Sequence, residues 1–206
     1  MTSSNTEIRK LLMAYNFSPS DIVCEKIDAY RALLLRWNTK IALTTITDPK
    51  EVVRFHFCES IFAIAAGQFQ NGRLADVGSG AGFPGLAIAL AAPSMDVTLI
   101  ERNSKKAAFL LEVIRSVEIR NARVLHSSIE DVSTDTKFQY VTARAFGHFS
   151  DLTSWSADHM DEDGRLALWL GEEDLKLIVS RTSFSWGDPV RIPGADKRIL
   201  LIGEKE

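Results

Sequence analysis

Four glycines within the eight residues from Gly78 to Gly85 constrain this chain more than any other feature of its sequence. They lie in Arg73-Leu-Ala-Asp-Val-Gly-Ser-Gly-Ala-Gly-Phe-Pro-Gly-Leu-Ala-Ile-Ala-Leu90. The stretch opens as a short apolar run (Leu74, Ala75, Val77) and continues past the glycines as an apolar helix whose first residue is predicted to be Pro84. Strand, glycine turn and helix in that order open a nucleotide-cofactor α/β unit. Glycines are required there because a side chain blocks a cofactor from lying against the backbone, and because such turns often need positive φ.

The spacing Gly80-Ala-Gly82-Phe-Pro-Gly85 is that of dinucleotide enzymes, a weak signal by itself. Two residues argue against a dinucleotide. Pro84 removes an N–H from the helix start that receives a pyrophosphate, and Asp76 sets a negative charge beside the phosphates. An acid there suits a cationic ligand, such as the α-ammonium of S-adenosylmethionine. Val97-Thr-Leu-Ile-Glu101 reads as a second strand ending in an acid about twenty residues on, placed to accept both ribose hydroxyls. S-adenosylmethionine fits better.

Composition narrows the class. A chain of 206 residues, 46% hydrophobic and 25% charged, holds one sizeable domain with a small extension. No apolar run reaches the length of a membrane span, and Met1 to Lys10 lacks a signal-peptide core. Cys24 and Cys58 have no metal-ligand spacing and read as reduced thiols in a cytoplasmic protein. The net charge of −3 provides no global basic field, so a nucleic-acid surface has to be a local patch. Candidates are Arg102, Lys105 and Lys106, then Arg115, Arg120 and Arg123, and Arg144, although a solvated helix face explains any single cluster equally simply.

Periodicity and caps predict helices over 4–16, 19–38 and from Asp48 to Gly67, the last with Pro49 at its first position and Glu51 completing a capping box. These form an N-terminal helical cap, residues 1–70, expected on the sheet edge ahead of a methyltransferase-type domain over 71–206. Strands are predicted at 121–126, 138–145 and 164–170, helices after Asn103 and over 149–160 and 171–180, and two tail strands at 182–191 and 197–204. The order implies a Rossmann-like, mostly parallel doubly wound α/β sheet with one antiparallel strand at the end.

In such a sheet the ligand lies beyond the carboxyl ends of the strands. Asp76, Glu101, Ser128-Ile129-Glu130 and Arg144 all fall there, and the loop at Ser127–Glu130 is where an adenine ring docks. Absences then narrow the acceptor. No Asn/Asp-Pro-Pro-aromatic motif follows the fourth strand, which disfavours an exocyclic amine. Neither cysteine lies there for covalent attack, and no His–Glu pair is near. A ring nitrogen such as guanine N7 needs none of these, because its lone pair is free and only alignment is required.

Trp37-Asn38, Leu43-Thr44, Arg54-Phe-His56 and Glu59-Ser60, followed by Asp76-Val-Gly-Ser-Gly-Ala-Gly-Phe-Pro-Gly85, resemble the glucose-inhibited division protein B family. These are the 16S ribosomal RNA (guanine-N7) methyltransferases. Glu101, Lys105-Lys106, Phe109-Leu110 and Val141-Thr-Ala-Arg-Ala145 extend the resemblance over about residues 30–171. It implies S-adenosylmethionine-dependent methylation of one guanine in the 530 loop of 16S rRNA, on naked RNA or the 30S subunit. It also implies cofactor contacts at Gly78, Phe83, Ile129-Glu130 and Arg144, and an RNA-facing surface near Asn38 and His56. Three positions depart from the pattern: Glu59 stands where Asp is usual, Ser128 replaces an arginine, and Leu170 replaces the lysine before Gly171.

The resulting assignment has Asp76, Gly78, Gly80, Phe83, Glu101, Ile129, Glu130 and Arg144 holding the cofactor, with Arg144 also catalytic. Asn38, His56, Lys105 and Lys106 meet the substrate, no metal is expected, and a cytoplasmic monomer without membrane contact is. The rivals are a small-molecule or protein methyltransferase of the same fold, a dinucleotide-binding protein supported only by Gly80 to Gly85, and a non-catalytic RNA-binding module, disfavoured by weak basicity.

Overall fold

Local signals set the helix starts. Ser20 accepts the Val23 N–H at 3.3 Å, and Asp48 accepts those of Lys50 and Glu51 at 3.0 and 2.9 Å, so both side chains satisfy donors that a helix leaves unpaired at its first turn. The computed structural model describes residues 3–145, 147–179 and 184–205. Helices α1 (Ser3–Met13), α2 (Asp21–Asn38), α3 (Pro49–Val52) and α4 (Glu59–Ala65) form the N-terminal cap. The single helix expected from Asp48 to Gly67 is instead divided by a π-helical turn over Val53–Cys58. Such a turn displaces backbone carbonyls from the regular ladder. Here the Phe55 carbonyl accepts from Arg144 at 2.8 Å and the Glu59 carbonyl from Trp169 Nε1 at 2.8 Å.

The sheet then runs through β1 (Gly72–Val77), β2 (Met95–Ile100), β3 (Ala122–Leu125), β4 (Phe138–Arg144), β5 (Met160–Gly171), β6 (Phe184–Trp186), β7 (Val190–Arg191) and β8 (Arg198–Lys205). Its order is β3-β2-β1-β4-β5-β8-β6, with β1 to β5 parallel and β8 antiparallel to β5. The strand order reverses between β1 and β4, which opens a crevice at their carboxyl ends. The tail strand expected over 182–191 is two short pieces, β6 and β7, which share the outer edge of β8 and are separated at Gly187-Asp188-Pro189. Residues 182 and 183 lie outside the described residues.

Alternation along the strands divides the interior into two cores. Leu74 and Leu99 face helices α5 (Gly85–Ala91) and α6 (Ser104–Ser116), while Ala75 and Ile100 face α7 (Phe149–His159) and, beyond it, α8 (Leu175–Val179). The N-terminal cap does not sit on the sheet edge. Tyr30, Leu34, Phe57 and Ile61 share the first core with Leu86 and Phe109, and with Trp169 and Leu200 of β5 and β8. A face of that size is apolar and is better buried than an edge, whose N–H and C=O groups need polar partners.

Candidate active site

The glycine turn is held from the neighbouring strand. Gly78 and Ser79 donate their N–H groups to the Ile100 carbonyl at 2.9 and 3.1 Å, and the Ser79 hydroxyl donates to the Asp76 carbonyl at 2.8 Å. Gly78, Gly80 and Gly82 have φ of 67°, 56° and 86°, a region in which side chains are strained. The Glu101 carboxylate closes the turn: one oxygen accepts the Gly80 N–H at 2.8 Å and the other the Asn103 N–H at 2.7 Å. Only 6% of Glu101 is exposed, and each carboxylate oxygen keeps a lone pair.

Beside this turn lies a cleft of about 310 Å³ lined by Gly78, Ile100, Glu101, Lys106, Ile129 and Glu130, among others. It therefore brings together five of the residues expected from sequence: Gly78, Glu101, Ile129, Glu130 and Lys106. Ile100 and Ile129 provide apolar walls, and Glu101 and Glu130 provide acceptors. On the side of β4 the wall is made by Ala145, Gly147, His148 and Asp151, which sequence reasoning missed. His148 and Asp151 stand on this wall three residues apart. The available signal was an acid in the first turn of α7, three residues after the histidine.

Asp76 is placed differently from expectation. It is fully buried, outside the cleft lining, with one carboxylate oxygen accepting from the Thr142 hydroxyl at 2.9 Å and the other without a hydrogen-bond partner. Burial pushes its carboxyl up from 3.8 to about 7, against the lowering effect of the Thr142 bond. It supports the turn from beneath, packed against Gly85, where a Cβ would come within 2.7 Å of the carboxylate. A direct contact with a cationic ligand is not what this geometry offers.

Behind the turn, Phe83 lies between Tyr30 and His56, its ring stacked on theirs at centroid distances of 5.4 and 4.8 Å. The Tyr30 hydroxyl donates to the Ala81 carbonyl at 2.5 Å. His56 Nε2 meets the Thr44 hydroxyl at 2.8 Å. Burial first, and then the charges of Arg144 and Arg198, pull the His56 pKa from 6.5 down to about 3. The unfolded chain then binds the proton more readily, so the stability from a neutral His56 is complete above pH 6.5 and is lost as pH falls towards 3. The difference between the stability curves of the protein and its His56→Phe variant is expected to be flat above pH 6.5. Below that it should narrow by about 1.4 kcal/mol per pH unit. Urea titrations at pH 7.5, 6 and 5 read this directly, and parallel curves would show that His56 is protonated in place. Asp76 has the opposite sign, stabilising as pH falls from 7, but it is common to both proteins and cancels.

Comparison with known proteins now decides the family. The model of the family described as rRNA small subunit methyltransferase G matches residues 23–185. The chain belongs to this family. Ribosomal RNA small subunit methyltransferase G of Chromobacterium violaceum is 30% identical over 98% of both chains, and that of Xylella fastidiosa is 34% identical over 86% of this chain and 84% of its own. Among solved structures, the ribosomal protein L11 methylase of Lactobacillus delbrueckii has a TM-score of 0.61 at 21% identity, covering 74% of this chain and 80% of its own. Precorrin-6y C5,15-methyltransferase of Geobacter metallireducens has a TM-score of 0.59 at 13% identity, covering 80% and 91%. Both share the Rossmann-like methyltransferase fold, and the rRNA small subunit methyltransferase G family makes this chain a methyltransferase.

The remaining residues assigned from the sequence stand outside the cleft lining. Phe83 is 7% exposed and packs within the aromatic stack. The Asn38 side chain is spent on the chain itself: Oδ1 accepts the Leu43 and Thr44 N–H groups at 2.9 and 3.0 Å, and Nδ2 donates to the Thr44 carbonyl at 2.8 Å. Lys105 is exposed on the first turn of α6 without lining the cleft, and Gly80 lies just behind it. Arg144 precedes the cleft residue Ala145 and turns towards the cap, donating to the Phe55 carbonyl at 2.8 Å and to Glu59 at 3.0 Å. Among the described residues no helix is long and apolar enough to cross a membrane, and no cluster of three His, Cys, Asp or Glu is placed to hold a metal ion.

Proposed function

We propose that this protein transfers a methyl group from S-adenosylmethionine to N7 of a guanine in the 530 loop of 16S rRNA, as a cytoplasmic monomer. The observation that carries this reading is the cleft itself, which unites Gly78, Glu101, Ile129 and Glu130 at the carboxyl ends of the strands in a chain of this family. The residues fit the cofactor. A volume of about 310 Å³ is within the range of small-ligand sites, Gly80 leaves open space in which only the Gly78 carbonyl comes within 4 Å of a built Cβ, and Glu101 keeps lone pairs for two hydroxyls. S-adenosylmethionine supplies a methyl group on a sulfonium, transferable to a nitrogen lone pair without loss of a proton.

The chain then has to orient and exclude rather than deprotonate. Glu101 would hold the ribose hydroxyls, Ile100 and Ile129 would offer apolar surface to the adenine, and Glu130 would supply an acceptor for its amine. Arg144 has five N–H donors, of which its partners among the described residues use two. The others remain for the acceptor base, for instance at guanine O6. Arg144→Ala is expected to lower kcat about 30-fold while leaving the Kd for S-adenosylhomocysteine within threefold. This is less than the loss of an oxyanion donor, because no oxyanion develops. Unchanged turnover removes Arg144 from the chemistry.

The test of the whole reading is tritium transfer from labelled S-adenosylmethionine into 30S subunits and protein-free rRNA from cells lacking this gene. Borohydride–aniline cleavage then maps N7-methylguanine. Cleavage at one guanine of the 530 loop is expected. His148 and Asp151 favour a second reading, a methyltransferase whose acceptor must lose a proton to a base. That reading requires label in a small molecule or protein, and none in the rRNA.

A further inference from the structure

The most heavily charged buried cluster in the described chain lies outside the cleft, where the cap meets the sheet. The Glu59 side chain is only 1% exposed, yet its two oxygens contact two guanidinium groups: Arg144 at 3.0 Å from the end of β4, and Arg198 at 2.7 Å from the start of β8. A buried carboxylate carries a desolvation cost that only close, well-formed partners offset. Burial holds the Glu59 carboxyl above its ordinary value, with Arg144 and then Arg198 opposing the rise.

Arg144 is the better determined of the two partners. Its side chain is 16% exposed against 36% for Arg198, and it has a second acceptor in the Phe55 carbonyl at the π-helical turn. Two acceptors on one planar fork fix both its position and its rotation. The residue after it, Ala145, has φ of 54° and lines the cleft. A non-glycine residue there is strained and persists only where its surroundings hold it.

We infer that Glu59 is a positioning residue for methyl transfer, holding the Arg144 guanidinium and the end of β4 in the orientation that the acceptor base meets. The inference rests on the role proposed above for Arg144. The cap is then part of the active site, since it supplies both the carboxylate and the carbonyl that orient a residue of the sheet. Arg198 is the second partner of the carboxylate and lies with its guanidinium carbon 4.3 Å from the centroid of the Phe55 ring.

The experiment is a double-mutant cycle on 30S methylation with Glu59→Gln, Arg144→Gln and the double variant, reading kcat, KM and the Kd for S-adenosylhomocysteine. Glu59→Gln is expected to lower kcat at least about tenfold, leave the Kd within threefold, and add nothing once Arg144 is Gln. Glu59→Asp, which keeps the charge one methylene shorter, is expected to restore most of kcat. If Glu59→Gln does not fold, Glu59→Ala, which buries no unpaired amide, enters the cycle in its place and has to show the same lack of additivity. Additive losses, a collapse of cofactor affinity, or kcat within twofold of the parent overturn the inference. A fall with Glu59→Gln but none with Arg144→Gln overturns the proposed role of Arg144, whereas the reverse overturns only that of Glu59.

Discussion

Glu101→Ala is expected to raise the Kd for S-adenosylhomocysteine at least 100-fold, with a melting temperature several degrees lower. Two losses combine. The Gly80 and Asn103 N–H groups both lose their acceptor, and a buried donor left unpaired costs about 1–3 kcal/mol. The ligand loses hydrogen bonds from a charged group, about 1.5–3 kcal/mol each. The first loss appears as stability and the second as affinity, so calorimetry and thermal melts on one variant separate them. Glu130→Ala is the control, since Glu130 is exposed at the far wall of the cleft, and only a several-fold effect is expected. A Kd within threefold of the parent for Glu101→Ala means that the ligand does not reach the end of β2, and the cofactor assignment fails.

Gly82→Ala is expected to destabilise the fold by about 3–5 kcal/mol, a large share of the total for a domain. Its φ of 86° costs a side chain about 1–2 kcal/mol. The added Cβ falls 2.2 Å from the Tyr30 hydroxyl and 2.8 Å from Leu86 Cδ1. Tyr30 cannot give way cheaply, because it is fully buried, hydrogen-bonded to the Ala81 carbonyl and stacked on Phe83. A melting temperature about 10 °C lower follows. Tyr30→Phe removes the nearest atom of the clash and should recover about 1–2 kcal/mol in the double variant, although alone it costs about 1 kcal/mol. Denaturant titration of the four proteins gives the cycle. A Gly82→Ala variant within 1 kcal/mol of the parent shows that the turn relaxes, and removes the steric argument.

The strand–turn–helix order, the caps at Asp48 and Asn103, and the acids at the ends of β1 and β2 were legible because each is a local signal. Hydrogen bonds to the next few residues and the alternation of apolar side chains need nothing distant to be read. The parallel sheet followed from that order, and the family from motifs spread along 140 residues in sequence. The clustering of Gly78, Glu101, Ile129 and Glu130 was likewise implied by their positions at strand ends, since a parallel sheet delivers those ends to one edge.

What the sequence determined by itself was therefore the class of fold, the family and the strand-end residues Gly78, Glu101, Ile129 and Glu130 that line the cleft. Which face of each charged residue is used was decided only by the tertiary structure. Asp76 and Glu101 look equivalent as acids at strand ends, yet the first is sealed beneath the turn and the second opens onto the cleft. Asn38, read as a substrate contact, spends its hydrogen bonds on the cap, and Arg144 is aimed by two of its five donors, given to Phe55 and Glu59. Within the π-helical turn the Phe55 carbonyl accepts from Arg144 of β4, and just beyond it the Glu59 carbonyl accepts from Trp169 of β5. The physical reason is that a buried polar group has to find its partner wherever packing brings one, 66 residues on for Asp76 and Thr142 and 85 for Glu59 and Arg144.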